Sequence, residues 1–119
     1  MALLGVATLL RLWVIGAGLP LTLHYDEVHY VPKAYVMGSG DLNPHYWFNP
    51  PFFTYCLLAV YTGWYAVWSF LGLFQSTLDM KVLFHTDPTS FFILGRLTSL
   101  AFGIGTIFLV FKLAQKLYG

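Results

Sequence analysis

Three long apolar stretches separated by two polar connections organise this chain of 119 residues. Met1–Leu19 is apolar almost throughout, interrupted by Arg11, and it ends at Gly18 and Pro20, which discourage helix continuation. Pro51–Phe74 is rich in Leu, Tyr, Trp and Phe. Phe91–Leu113 carries Arg96 near its start and Lys112 near its end, with Lys116 just beyond. No Asp, Glu, Lys or Arg occurs between Leu42 and Leu78. A bilayer core of about 30 Å is crossed by roughly 20 apolar residues in a helix. The pattern therefore predicts an all-α integral membrane fold with about three transmembrane helices, over 1–19, 51–74 and 91–113.

The connection Thr22–Pro50 is too polar to lie in lipid. Within it, Asp26–Met37 predicts a short juxtamembrane helix with acids in its first turn, the favourable end of the helix dipole. Asp26, His29, Tyr30 and Lys33 recur at three- and four-residue spacing and so share a face. Pro32 in the second turn leaves a kink or a break equally open. Gly38-Ser39-Gly40-Asp41 ends the element, and Asn43-Pro44 and Asn49-Pro50-Pro51 impose turn geometry. The second connection, Gln75–Ser90, reads as short and polar, with Asp87-Pro88-Thr89-Ser90 as a turn into a helix.

Composition agrees: 58% of the residues are hydrophobic and 9% charged, against roughly a quarter charged in soluble domains. A net charge of +1 provides no basic stripe for nucleic acid, which needs its phosphates neutralised. Cys56 is the only cysteine, so no intrachain disulfide forms. The N-terminus lacks a basic leader and Arg11 interrupts the apolar run, which favours an uncleaved first helix over a signal peptide. Tyr46, Trp47, Trp64, Tyr65 and Trp68 suit the headgroup level. With three spans, a cytoplasmic N-terminus would send Lys112 and Lys116 outward, against the positive-inside tendency. So few charges leave orientation open.

The chain holds five acidic residues, and two of them, Asp26 and Glu27, stand side by side in His24–Tyr30 (H-Y-D-E-V-H-Y), where the first span leaves the bilayer. Either they solvate a loop end or they mark a polar reaction centre at the membrane surface. Arg11 at mid-bilayer costs on the order of 2.5–3.5 kcal/mol, so it needs a partner, a wet cavity or a snorkelling route to the interface. His24, His29 and His45, with the acid pair, offer donors to a divalent cation. No His-Glu-x-x-His spacing supports a metal site, so none is assigned and a cation cofactor stays open.

Asp26-Glu27, then Tyr30, Ala34, Gly40-Asp41, Pro44 and Asn49-Pro50-Pro51-Phe52 resemble the first outer loop of the membrane-embedded GT-C glycosyltransferases. That superfamily includes the protein O-mannosyltransferases and the aminoarabinose transferases. Gly95-Arg96-Leu97, Ser99, Gly103, Thr106 and Lys116-Leu117-Tyr118-Gly119 are similar to the family's third span and its end. The resemblance implies transfer of a sugar from a polyprenyl-phosphate donor to a hydroxyl acceptor of a protein, lipid or glycan. The location it implies is the outer face of a membrane, most naturally a prokaryotic plasma membrane.

It further implies Asp26 as general base and Glu27 as its partner acid. Arg11, His29, Tyr30, Lys33 and Arg96 are candidates to line the substrate site, either arginine balancing Glu27 or steadying the lipid phosphate. Members of the family carry many more spans, so residues 1–119 are expected to be one N-terminal module of a larger enzyme, inactive alone. The alternative, from a different class, is a small non-catalytic membrane protein that binds a lipid-linked sugar or a partner transferase.

Overall fold

The computed structural model describes residues 2–21 and 25–119. His24 and the first residues of the acidic loop, Thr22 and Leu23, lie outside them. The described residues form five helices and no strand: α1 Ala2–Trp13, α2 Tyr25–Met37, α3 Phe52–Phe70, α4 Thr77–Thr86 and α5 Thr89–Tyr118.

The all-helical expectation holds. Of the described helices, α5 alone is both long and apolar enough to cross a membrane; its 30 residues extend about 45 Å at 1.5 Å per residue. In α3, which has 19 residues, Thr54, Tyr55, Tyr61, Thr62, Tyr65 and Ser69 dilute the apolar run.

The first predicted span is shorter as a helix than expected. Helical pairing stops at Trp13, and the chain continues through tight turns: Ile15 N–H donates to Leu12 O, Ala17 N–H to Val14 O and Leu19 N–H to Gly16 O. Gly16, Gly18 and Pro20 crowd this segment, and Gly18 takes a left-handed φ of 78°, which glycine adopts without a Cβ clash. Twelve helical residues rise about 18 Å, short of a bilayer core.

The helix at the second predicted span, α3, ends at Phe70 rather than Phe74. Gly72, at φ 75°, closes it: Leu73 N–H reaches Trp68 O and Gly72 N–H reaches Ser69 O, the paired bonds of a glycine-terminated helix. Phe74 then folds back against Trp64, Tyr65 and Trp68. The polar connection that follows contains α4, which the polar reading overlooked. Asp79 Oδ2 accepts from the Gln75 and Ser76 N–H groups, while Ser76 Oγ accepts from Leu78 N–H. That is a capping box.

α2 forms as predicted and runs unbroken through Pro32. It is the centre of the packing. Val31 and Ala34 of α2, Leu57 and Tyr61 of α3, and Phe91 and Phe92 of α5 make one buried cluster. Phe91 is fully buried, ringed by Tyr61, Trp64 and Phe84 at centroid distances of 5.4, 5.1 and 5.0 Å. The Tyr61 hydroxyl donates to Phe91 O at 2.9 Å, so the phenol enters the core without an unpaired polar atom.

Phe53 meets Phe102, while Tyr61 meets Phe91, so α3 runs antiparallel to the N-terminal half of α5. α1 lies farther along, with Arg11 against Gly103. At Gly95 a Cβ would stand 3.3 Å from Val31 Cγ2, which lets α2 and α5 approach closely. Gly95→Val is expected to wedge them apart at a cost of about 1–3 kcal/mol, the usual range for core overpacking. A thermal unfolding midpoint equal to wild type would refute this.

Candidate functional site

The polar centre forms where α2 begins. Asp26 and Glu27 occupy its first turn, one residue apart and so turned by about 100° around the helix axis. That rotation gives them different surroundings. Glu27 faces α5 and receives a two-pronged contact from Arg96: Nε to Oε1 at 2.6 Å and Nη2 to Oε2 at 3.0 Å. The remaining Arg96 nitrogen, Nη1, donates to Ile15 O at 2.7 Å and Ala17 O at 2.9 Å. Those carbonyls belong to the unwound continuation of α1, so the early end of that helix supplies acceptors for a part-buried cation. The Arg96 and Glu27 side chains are 15% and 20% exposed, enough desolvation for a planar fork to matter.

Asp26 is different. It is exposed, and no hydrogen bond or ion pair joins its carboxylate to another described residue. It borders a partly open cleft of about 790 Å³ that Glu27, Tyr30, Arg11 and Arg96 also line. Most of the remaining wall is apolar and comes from the turns after α1 and from α3 and α5, including Val14, Phe53, Phe92 and Leu100. The Arg11 guanidinium rests against α5 at Gly103, with no hydrogen bond or ion pair to another described residue. Among the described residues, the cleft thus holds one committed cation, one uncommitted cation and one uncommitted carboxylate.

Five of the seven residues singled out in the sequence therefore meet at one cleft: Arg11, Asp26, Glu27, Tyr30 and Arg96. His29 and Lys33 do not line it. The face expected to unite Asp26, His29, Tyr30 and Lys33 divides, because its far edge is occupied by the following loop. Tyr46 stacks on His29 with ring centroids 5.2 Å apart, and Lys33 Nζ sits 3.2 Å from the centroid of the Tyr46 ring. Desolvation pulls the Lys33 pKa below the ordinary lysine value, while the negative ring face works to keep the cation. Lys33 is spent on this contact.

The loop that brings Tyr46 there is shaped, as its sequence suggests. Asp41 Oδ1 accepts from Asn43 N–H and Asn43 Oδ1 from His45 N–H, both at 3.0 Å. His45 Nε2 lies 2.6 Å from Asp41 Oδ2, and the Tyr55 hydroxyl ties Leu42 O to α3. The bond to His45, then that from Asn43, holds the Asp41 carboxyl below the usual range. A depressed carboxyl adds stability above its unfolded pKa and loses it as pH falls through the folded value. Acidification should therefore loosen this turn. In a carboxyl-carbon NMR titration, Asp41 is expected to move back toward an ordinary midpoint in His45→Gln; an unchanged midpoint would show that His45 is not the cause.

No three side chains of His, Cys, Asp or Glu converge on one point among the described residues. The divalent-cation option therefore gains no ligand set from His29, His45, Asp26 and Glu27. Sequence reasoning missed the Ile15 and Ala17 carbonyls, the part played by Tyr46 and the glycine seat of Arg11. Only the Gly16-Ala17-Gly18 run hinted at the first of these. Comparison with family models, curated proteins and solved structures yields no match to this chain.

Proposed function

We propose that this chain is a multi-span membrane module of a GT-C-type glycosyltransferase, contributing the acidic first loop to sugar transfer from a polyprenyl phosphate to a hydroxyl acceptor. The observation that carries the reading is the unequal fate of the two acids. Glu27 is held by Arg96 and builds the site, while Asp26 borders the cleft with its oxygens bonded to no described residue. An ionised carboxylate within reach of a hydroxyl can take its proton as the oxygen attacks. In the reaction, the acceptor oxygen bonds to the anomeric carbon, that carbon's bond to the phosphate oxygen breaks, and polyprenyl phosphate leaves. The proton passes to Asp26. Arg11 is free to meet the departing anion with paired N–H groups.

The largely apolar cleft wall suits a lipid carrier, and α5 is long and apolar enough to cross a membrane. In this reading α1 and α3 accompany α5 in the bilayer, and the acidic loop faces the outer side of a prokaryotic plasma membrane. The test is transfer of labelled sugar from polyprenyl phosphate in membranes from cells expressing the encoding gene, with and without Asp26→Asn. Donor-dependent transfer that needs the Asp26 carboxylate supports the enzyme. Donor binding with no transfer supports the non-catalytic alternative instead.

A further inference from the structure

Arg11 and Arg96 stand in the same cleft under opposite constraints. Arg96 is locked by Glu27 and two carbonyls. Arg11 has no such partner among the described residues, and what places it is a shape. On α5, a Cβ built at Gly103 would stand 3.1 Å from Arg11 Nη1 and 3.6 Å from Cζ. The guanidinium therefore stands closer to this position than a Cβ ordinarily tolerates, and a side chain there obliges it to shift. Nothing in α5 itself asks for glycine there, since glycine weakens a helix interior relative to alanine. Gly95, on the same helix, meets Val31 in the packed core, whereas the three atoms nearest a Cβ at Gly103 all belong to the far end of one flexible side chain.

We propose that Gly103 is a positioning residue for Arg11. Its missing side chain seats the guanidinium at the cleft wall, and residue size at 103 sets how tightly the cleft holds a phosphate-bearing lipid. The inference rests on the lipid-phosphate reading above. A larger side chain at 103 displaces the charge without removing it and leaves the Glu27–Arg96 pair untouched. Because the atom that must yield is a side-chain terminus, the fold absorbs the change and the cost falls on the ligand.

The experiment is equilibrium binding of a polyprenyl monophosphate to the chain reconstituted in phosphatidylcholine nanodiscs, with the matching polyprenol and inorganic phosphate as the other arms. Wild type is expected to prefer the polyprenyl monophosphate. Arg11→Ala should weaken it about tenfold, the scale of one charge-assisted phosphate contact. Gly103→Val should cost nearly as much and Gly103→Ala less, with no further loss when Gly103→Val is added to Arg11→Ala.

Thermal unfolding separates this from a packing role: Gly103→Ala should unfold no earlier than wild type while binding more weakly. Wild-type affinity in both Gly103 variants, or losses that multiply in the double variant, would overturn the seat. If Gly103→Val does not fold, Gly103→Ala decides alone. A wild-type chain that holds polyprenol or inorganic phosphate as tightly as the polyprenyl phosphate overturns the lipid-phosphate reading itself.

Discussion

Asp26→Asn is expected to lower sugar transfer by about 10²–10⁴-fold, the usual contribution of a positioned general base, with the amount of folded protein unchanged. The second half of that expectation follows from the surroundings of Asp26. Its carboxylate is exposed and joined to no described residue, so the amide that replaces it strands no partner. Asparagine also keeps the shape of the side chain and suits the first turn of α2, so the substitution removes basicity and little else. Asp26→Glu should retain part of the activity, since it keeps the base and moves its oxygens by one methylene. Transfer at the wild-type rate in Asp26→Asn would reduce the acid pair to a structural feature.

Glu27 and Arg96 should behave in the opposite way, through stability first. Glu27→Gln leaves the Arg96 guanidinium, 15% exposed, with two carbonyls and no counter-charge. Breaking one side of a well-buried pair costs about 3–5 kcal/mol; the residual exposure of this one places it near the lower end. Arg96→Met strands Glu27 together with the Ile15 and Ala17 carbonyls, and should be the more damaging single change. The double variant is expected to lose less than the sum of the two, because neither leftover charge remains to be desolvated. Arg96→Lys should not rescue, since an ammonium cannot span two carboxylate oxygens and two carbonyls at once. Thermal unfolding in detergent measures all four variants. Strict additivity of the singles would show that the pair is not energetically coupled.

Much of this architecture was legible because it follows local rules. The acids in the first turn of α2, the glycines that stop it after Met37, and the Asp87-Pro88 entry to α5 each act within a few residues of themselves. Glycine at 72 marks where α3 stops, and Ser76 with Asp79 announces α4. Both signals are printed in the sequence, but the aromatic run past Phe70 and the polarity of the connection masked them.

The site was legible in its members more than in its pairings. Arg11, Arg96, Asp26 and Glu27 stand out because charges are scarce in an apolar chain. Which arginine meets Glu27 depends on the level at which α1 and α2 cross α5, and no local pattern encodes that. The unwinding of α1 after Trp13 is of the same kind: the carbonyls it frees matter only because Arg96 arrives from 79 and 81 positions away. The contacts of His29 and Lys33 with Tyr46 are illegible for a related reason. Their spacing puts them beside Asp26 and Tyr30, but Tyr46 folds in from the loop and claims them.

That long reach has a consequence for how the protein is made. The ribosome delivers the N-terminal segment, the acidic turn and most of the aromatic core well before residue 96 leaves the exit tunnel. Until then the Ile15 and Ala17 carbonyls and the Glu27 carboxylate lack their arginine and are best satisfied by water. Joining ends so far apart carries a loop-closure entropy that grows only logarithmically with separation, so the delay is set by synthesis more than by search. The arginine then acts as a clasp that fastens three segments at once, and the cleft becomes a single site only after residue 96 has been delivered.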